Sequence, residues 1–282
     1  MSDIWTLLRL LRWMTQYFTE KGIDNPRLDA ELLLAYILDL DRVGLYLNYD
    51  RPLLTAELDL IRPLAKRRGQ REPLQYLLGS TEFWSLEFTV NPAVLIPRAD
   101  TEILVEETLV KAGSEGQLLD VGTGSGAIVI SLASELLNWQ MTGLDISTQA
   151  LEVAQHNVEK HQLAERVQLL QGDLAELPNQ QYDLIVSNPP YIGQQEWDGL
   201  MPEVRCFEPQ LALLADNGGL DCYQKLTMQA CSRLKPNGWL LVEVGYQQAE
   251  AVESLFSAAG LNNVFMRKDY SSQPRVVGGQ LN

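Results

Sequence analysis

The run Tyr182-Asp183-Leu184-Ile185-Val186-Ser187 leads straight into Asn188-Pro189-Pro190-Tyr191. A strand that stops in this tetrapeptide has particular chemistry available to it. Consecutive prolines stiffen the backbone and carry no N–H, which leaves neighbouring carbonyls uncommitted. Asn188 brings a side-chain carbonyl and Pro189 a main-chain one, and two converging acceptors suit a group with two N–H donors. Pro190 continues the rigid run, and Tyr191 can lie flat against a planar π-system. A conjugated NH2 group is a poor nucleophile because its lone pair is delocalised. Acceptors that grip both hydrogens favour a pyramidal transition state and stabilise positive charge growing on nitrogen. What remains is to hold the reacting partner in line. The plain alternative is a stiff proline turn after a strand.

A second cluster lies upstream. Leu118-Leu119-Asp120-Val121-Gly122-Thr123-Gly124-Ser125-Gly126-Ala127 is a strand that enters a glycine-rich turn and opens a helix. Glycines let the chain turn sharply there and let a ligand approach the main chain. Gly122, Gly124 and Ala127 also fit the dinucleotide fingerprint G-x-G-x-x-G/A, so the loop alone leaves the cofactor open. Asp145, about 20 residues on at the end of the next strand, would accept from the two ribose hydroxyls of a nucleoside cofactor.

Asp120 before the turn and the early third glycine, Gly126, make D-x-G-x-G-x-G. This resembles the first motif of the seven-stranded S-adenosylmethionine methyltransferases. The resemblance implies S-adenosyl-L-methionine as cofactor, held by Gly122, Thr123, Gly124, Ser125, Gly126 and Asp145. It places Asp173 at the adenine amino group, Leu174 along the adenine edge, and Asn188 beside the cofactor. Read by itself, Asp173 serves equally well as a helix N-cap.

These residues need elements to position them. Beyond Gly116 strand patterns at 117–121, 140–145, 166–171, 182–187 and 238–244 alternate with helical patterns at 125–137, 148–161, 219–234 and 247–259, before a last hairpin within 263–277. Such alternation implies βαβ units and a mostly parallel sheet, which binds ligands at the carboxyl ends of its strands. Residues 2 to about 72 read as helical, with Ile4, Leu7, Leu8 and Leu11, then Leu28, Leu32, Leu33 and Leu40, at helical spacing. Gly22 suits a helix end and Pro26 a first turn, and a further helix is expected after Thr55 with Leu58, Ile61 and Leu64 on one face. Phe83–Val90 reads as a short hairpin, and a helix is expected from about Asp100 to Lys111.

Composition narrows the function. The 282 residues suffice for one large α/β domain and a small companion, and the formal net charge is −15. That balance argues against extended binding of nucleic acid. Arg62, Lys66, Arg67, Arg68 and Arg71 form a local basic cluster, read as the cationic end of a helix in preference to a partner contact. His156 and His161 are the two histidines, on a polar helix, so histidine-based nucleophilic or metal chemistry is not expected. Cys206, Cys222 and Cys231 have no metal-binding spacing and read as incidental or buried free thiols of a reducing compartment. No apolar run is long enough for a membrane span, and Met1-Ser2-Asp3-Ile4-Trp5 is unlike a signal peptide, so a cytoplasmic location is expected.

The Asn-Pro-Pro-Tyr motif with the glycine loop is shared by methyltransferases of adenine and of protein glutamine. Glu72-Pro73-Leu74-Gln75-Tyr76-Leu77-Leu78-Gly79, Glu82-Phe83-Trp84 and Leu95-Ile96-Pro97-Arg98-Ala99-Asp100-Thr101-Glu102 favour the glutamine branch. With Arg205, Phe207-Glu208-Pro209 and Arg267-Lys268-Asp269-Tyr270, they resemble the peptide chain release factor glutamine N5-methyltransferase family. The resemblance runs from about residue 25 to the C-terminus. It implies an α/β fold: a seven-stranded, mostly parallel Rossmann-like methyltransferase domain at 99–282, a hairpin and linker at 79–98, and a helical substrate-binding bundle at 1–78. It implies that Asn188, Pro189 and Tyr191 hold the glutamine of a release factor's Gly-Gly-Gln loop, without a metal, and that the Arg98–Glu102 segment closes over the site or simply enters a helix. Ala99 stands where the family pattern has proline, which puts the stiffness of that segment in question. The rival substrates are a ribosomal-protein glutamine and, more remotely, DNA adenine, which would need a basic region able to flip a base. A dehydrogenase fits the loop but leaves the tetrapeptide unexplained, and a binding module would bind cofactor without turnover. Gly278-Gly279-Gln280 repeats the expected substrate tripeptide and is read as part of a closing strand, not as a target of self-methylation.

Overall fold

In the computed structural model, which describes residues 4–282, the apolar runs ending in Asp, Asn or Gly become strands of one sheet. Numbered along the chain, β1 is Ser80–Phe83, β2 Leu86–Thr89, β3 Gly116–Val121, β4 Trp139–Asp145, β5 Val167–Gln171, β6 Tyr182–Ser187, β7 Leu234–Glu243, β8 Asn262–Lys268 and β9 Pro274–Gln280. The large sheet has seven strands in the order β5-β4-β3-β6-β7-β9-β8. Strands β3 to β7 pair in parallel, and β9 pairs antiparallel with both β7 and β8. The order reverses between β3 and β6, which leaves a crevice at their carboxyl ends.

Both sheet faces are buried, as expected of parallel strands that read as continuous apolar runs. Leu118, Leu184 and Leu241 pack on one face with the helices Glu102–Lys111 and Ala127–Glu135. Leu119, Ile185 and Val242 pack on the other with Asp221–Arg233 and Ala249–Ala258. The expected strands and helices of this region all form, with ends shifted by a few residues. The largest shift is at β7, which starts at Leu234 because Leu234 pairs with Tyr182 before an irregularity.

The first hairpin pairs Ser80–Phe83 with Leu86–Thr89, so it starts earlier than Phe83. Its turn is Trp84-Ser85, both at positive φ (52° and 57°), where asparagine and glycine are usual. The turn is pinned from outside: Trp84 N–H donates to Glu102 Oε1 at 2.8 Å, and its indole N–H to Glu135 Oε1 at 2.9 Å.

The chain divides into two compact units, residues 1–79 with 201–207, and residues 80–200 with 208–282. The first contains the helices Leu7–Glu20, Pro26–Leu38, Arg42–Leu47, Thr55–Gly69 and Leu74–Leu78. Ser2 and Asp3, included in the helical expectation, lie outside the described residues, as does Met1. Ile4 and Leu28 do not join the core: Ile4 precedes the first helix, which Thr6 caps, and both are exposed. Gly22 has φ 71° and ends the first helix in a Schellman turn, with Gly22 N–H to Thr19 O and Ile23 N–H to Phe18 O. Pro26 opens the second helix.

Four of the five residues of the basic cluster form ion pairs inside this unit. Arg62 pairs with Asp59, Arg67 with Glu72, Arg68 with Asp29 and Glu203, and Arg71 with Glu203. Helix-end placement holds for Lys66, Arg67 and Arg68, in the last turn of Thr55–Gly69. No buried thiol is found: Cys206 is exposed, Cys222 and Cys231 half-buried.

Gly278, Gly279 and Gln280 lie in β9 between β7 and β8. A Cβ at Gly278 would fall 2.4 Å from Phe265, so packing requires that glycine, and one at Gly279 would sit tightly 3.0 Å from Phe256. Gln280 is tied to Asn237 and Asn263. The closing-strand reading accounts for the tripeptide. No helix among the described residues is long and apolar enough to cross a membrane.

Candidate active site

Parallel register brings four residues into one row at the carboxyl edge. Val121 pairs with both Leu144 and Ser187, and Ser187 with Val242. The next residues along, Gly122, Asp145, Asn188 and Glu243, are therefore neighbours. A cleft of about 310 Å³ opens above them, lined by Gly122, Gly124, Asp145, Asp173, Leu174, Asn188, Pro189 and Pro190 among others. That is the lower end of the volume usual for a small-molecule site.

The loop after β3 is held by its own backbone. Gly122 and Thr123 both donate to Leu144 O, at 2.8 and 2.9 Å, and Gly126 donates to Thr123 O at 2.8 Å. Gly122, Gly124 and Gly126 all have positive φ, as glycine allows. Their surroundings differ. A Cβ on Gly122 would meet nothing within 4 Å, whereas one on Gly126 would sit 2.9 Å from Ile130 Cδ1. Gly122 and Gly124 border the cleft and Gly126 faces the protein. Thr123 and Ser125 are buried, and the Thr123 hydroxyl donates to Asp120 Oδ2 at 2.6 Å. Thr123, Ser125 and Gly126 shape the loop from behind and do not line the cleft.

Asp145 accepts from Gly124 N at 2.8 Å and Ser147 N at 2.9 Å, one on each carboxylate oxygen. Each oxygen keeps an accepting position. Burial raises its pKa and backbone donors at Ser147, Gly124 and Ile146 oppose the rise. Asp120 is fully buried, its Oδ1 has no partner, and desolvation pushes it up to about 7 against the Thr123 bond. Asp173 does not cap a helix, since none begins there. Its Oδ1 accepts from Ala175 N at 2.8 Å in a turn, and the side chain is exposed at the cleft.

Asn188 Nδ2 donates to Thr101 Oγ1 at 3.3 Å. Tyr191 does not border the cleft proper; its hydroxyl donates to Glu243 Oε1 at 3.4 Å, and its main-chain oxygen accepts from Gln248 Nε2 at 2.8 Å. Burial first, and then the Glu243 charge, raise the Tyr191 pKa well above its ordinary value. Glu243 is itself pushed up to about 7, mainly by desolvation.

The Arg98–Glu102 segment enters the helix Glu102–Lys111 through a 3-10 turn at Ala99–Thr101 and also reaches the site through Thr101. The cleft wall nearby is Ala93, Val94 and Leu95 instead. Ion pairs and a hydrogen bond flank Ala99. Arg98 pairs with Glu208, Ile96 N–H donates to Glu208 Oε2 at 3.1 Å, and Asp100 pairs with Arg275 at 2.9 Å.

Sequence patterns alone assign no individual role to Thr101, Glu208 or Glu243. Glu243 had a signal: a lone acid in Leu240-Leu241-Val242-Glu243-Val244, a run otherwise apolar enough for a buried strand. Among the described residues no group of three or more His, Cys, Asp or Glu is placed to hold a metal ion.

Residues 9–79 match the family model described as the PrmC N-terminal domain, and residues 112–273 match that of a methyltransferase domain. A protein of Geobacter sulfurreducens named release factor glutamine methyltransferase is 48% identical over 280 residues, 99% of this chain and 98% of the relative. One of the same name from Chlorobaculum tepidum is 38% identical over 286 residues, 97% of each. The crystal structure of a methyltransferase from Pyrococcus furiosus superposes with a TM-score of 0.56 at 18% identity, over 77% of this chain and 98% of that one, which shows the shared fold. On identity of this extent over almost the whole length, the chain belongs to the release factor glutamine methyltransferase family.

Proposed function

We propose that the protein transfers the methyl group of S-adenosyl-L-methionine to the side-chain amide nitrogen (N5) of the glutamine in the Gly-Gly-Gln motif of peptide chain release factors, in the cytoplasm. Relatives named release factor glutamine methyltransferase support a release factor glutamine as the substrate. The observation that carries the chemistry is the row Gly122, Asp145 and Asn188 at one cleft.

The cleft fits the cofactor by its donor set and by its open backbone. Gly122 and Gly124 leave room where any side chain would stand, and Asp145 keeps accepting positions for two ribose hydroxyls. Asp173 and Leu174 would hold the adenine, with Thr123, Ser125 and Gly126 keeping the loop in shape. When bound, the cofactor supplies an electrophilic methyl on a sulfonium centre.

The chain does the rest by binding and orientation. Asn188 Oδ1 and the Pro189 carbonyl would each accept one amide hydrogen and so free the nitrogen lone pair for in-line attack. Pro190 keeps the turn stiff, and Tyr191 would support the plane of the amide. Residues 1–78 are proposed as the part that engages the release factor and 79–98 as the hairpin and linker to the transfer domain at 99–282. No metal or direct contact to nucleic acid is required.

The test is peptide mass spectrometry after incubation with S-adenosyl-L-methionine and an unmodified release factor. One methyl on the Gly-Gly-Gln glutamine, absent with Asn188→Ala, is expected. Cofactor binding by calorimetry without that methyl would reject the release factor as substrate, and ribosomal proteins and DNA would then be assayed.

A further inference from the structure

An asparagine that grips an NH2 group must turn its carbonyl toward it, yet the two ends of an amide are nearly equal in size and either can face inward. Resting on the reading that Asn188 accepts from the substrate amide, we propose that Thr101 and Glu243 are positioning residues that hold Asn188 carbonyl-inward. The register of β6 against β7 makes Glu243 the neighbour of Asn188. Asn188 Nδ2 donates to Thr101 Oγ1 at 3.3 Å. A hydroxyl oxygen that accepts in this way sends its own hydrogen elsewhere, and the Glu243 carboxylate, set next to Asn188 by strand register and favoured in its ionised form by the Thr101 hydroxyl, is the acceptor available to it.

Above about pH 7, where the Glu243 carboxyl is ionised, it only accepts, so there the order amide N–H to hydroxyl to carboxylate has one direction. Turning Asn188 over would set its carbonyl oxygen against a hydroxyl oxygen whose hydrogen is already committed. Glu243 is 1% exposed, its Oε2 has no hydrogen-bond partner, and its Oε1 accepts from the Tyr191 hydroxyl at 3.4 Å. One buried carboxylate thus lies beside Asn188 by register and accepts from Tyr191, the two ends of the Asn-Pro-Pro-Tyr turn. Thr101 is 4% exposed, and the ion pairs of Arg98 and Asp100 hold the backbone on its near side.

The competing account is that Thr101 only fills space. Valine keeps the shape of threonine and loses the hydroxyl, whereas serine keeps the hydroxyl and loses the methyl. In the full-length protein Thr101→Val is expected to lower kcat on release factor by about tenfold or more, with cofactor affinity within about twofold of wild type, and Thr101→Ser to recover most of that loss. Glu243→Gln, which makes the end of the chain both donor and acceptor, is expected to lower kcat similarly. Full activity in Thr101→Val or in Glu243→Gln, or equal loss in the valine and serine variants, overturns the proposal.

The arrangement can also be read without turnover. In 15N-labelled protein free of substrate, one of the two Asn188 side-chain amide hydrogens is expected to exchange with solvent more slowly than the other, and Thr101→Val is expected to abolish the difference. Equal exchange in wild type overturns the proposal. A wild-type protein that leaves the release factor unmethylated rejects the substrate reading instead, and the exchange experiment still decides the orientation.

Discussion

The backbone N–H of Gly124 donates to Asp145 Oδ2 at 2.8 Å, joining the loop after β3 to the end of β4. Asp145 therefore fixes the loop and presents a charged acceptor to the cleft at once. Asp145→Ala is expected to weaken cofactor binding by about 10- to 100-fold, the range for losing hydrogen bonds to a charged group. Calorimetry measures this, and an affinity unchanged by the substitution would remove Asp145 from the cofactor site.

Gly122 and Gly126 separate space for a ligand from space for the protein. Both have positive φ, so alanine strains either backbone by roughly 1–2 kcal/mol. Only at Gly126 does the new Cβ also strike Ile130. Gly126→Ala should show the larger fall in melting temperature, while Gly122→Ala should lose cofactor affinity out of proportion to its loss of stability.

Asp120 and Glu243 make stability depend on pH in an unusual direction. Burial raises Asp120 from its ordinary 3.8, and Glu243 from 4.5, to about 7. The folded state thus holds these two protons more tightly than the unfolded chain. Their favourable contribution is complete below about pH 4 and is lost as pH rises through about 7, each by on the order of a few kcal/mol. Arg275 moderates the effect at Glu243, and Thr123 at Asp120. Asp120→Asn should flatten the fall in denaturant midpoint between pH 5 and 8. A variant that keeps the wild-type slope would show that Asp120 titrates at its ordinary value.

Tyr191 makes a long bond to Glu243, 3.4 Å, at the weak end of hydrogen-bond geometry. Its ring is proposed to do more than its hydroxyl. Tyr191→Phe should keep kcat within about fivefold, and Tyr191→Ala should lose about 100-fold, through the missing aromatic surface. Similar losses in both would assign the work to the hydroxyl.

Much of this molecule is local. The spacing of glycines after Leu118-Leu119-Asp120-Val121 and the acid that ends the next apolar run are consequences of backbone conformation and strand length. So are the prolines after Ser187, and with them the carboxyl-edge cleft was legible, as were the strands and helices that build it. The Trp84-Ser85 turn was less so, because its positive φ values are stabilised by Glu102 and Glu135 from elsewhere in the chain. The placements of Thr101, Glu208 and Glu243 belong to the tertiary structure alone. A buried polar side chain is stable only against a partner, and that partner is chosen by strand register and packing across tens of residues. Sequence alone could mark Glu243 as out of place in an apolar strand; only the pairing of β6 with β7 sets it beside Asn188.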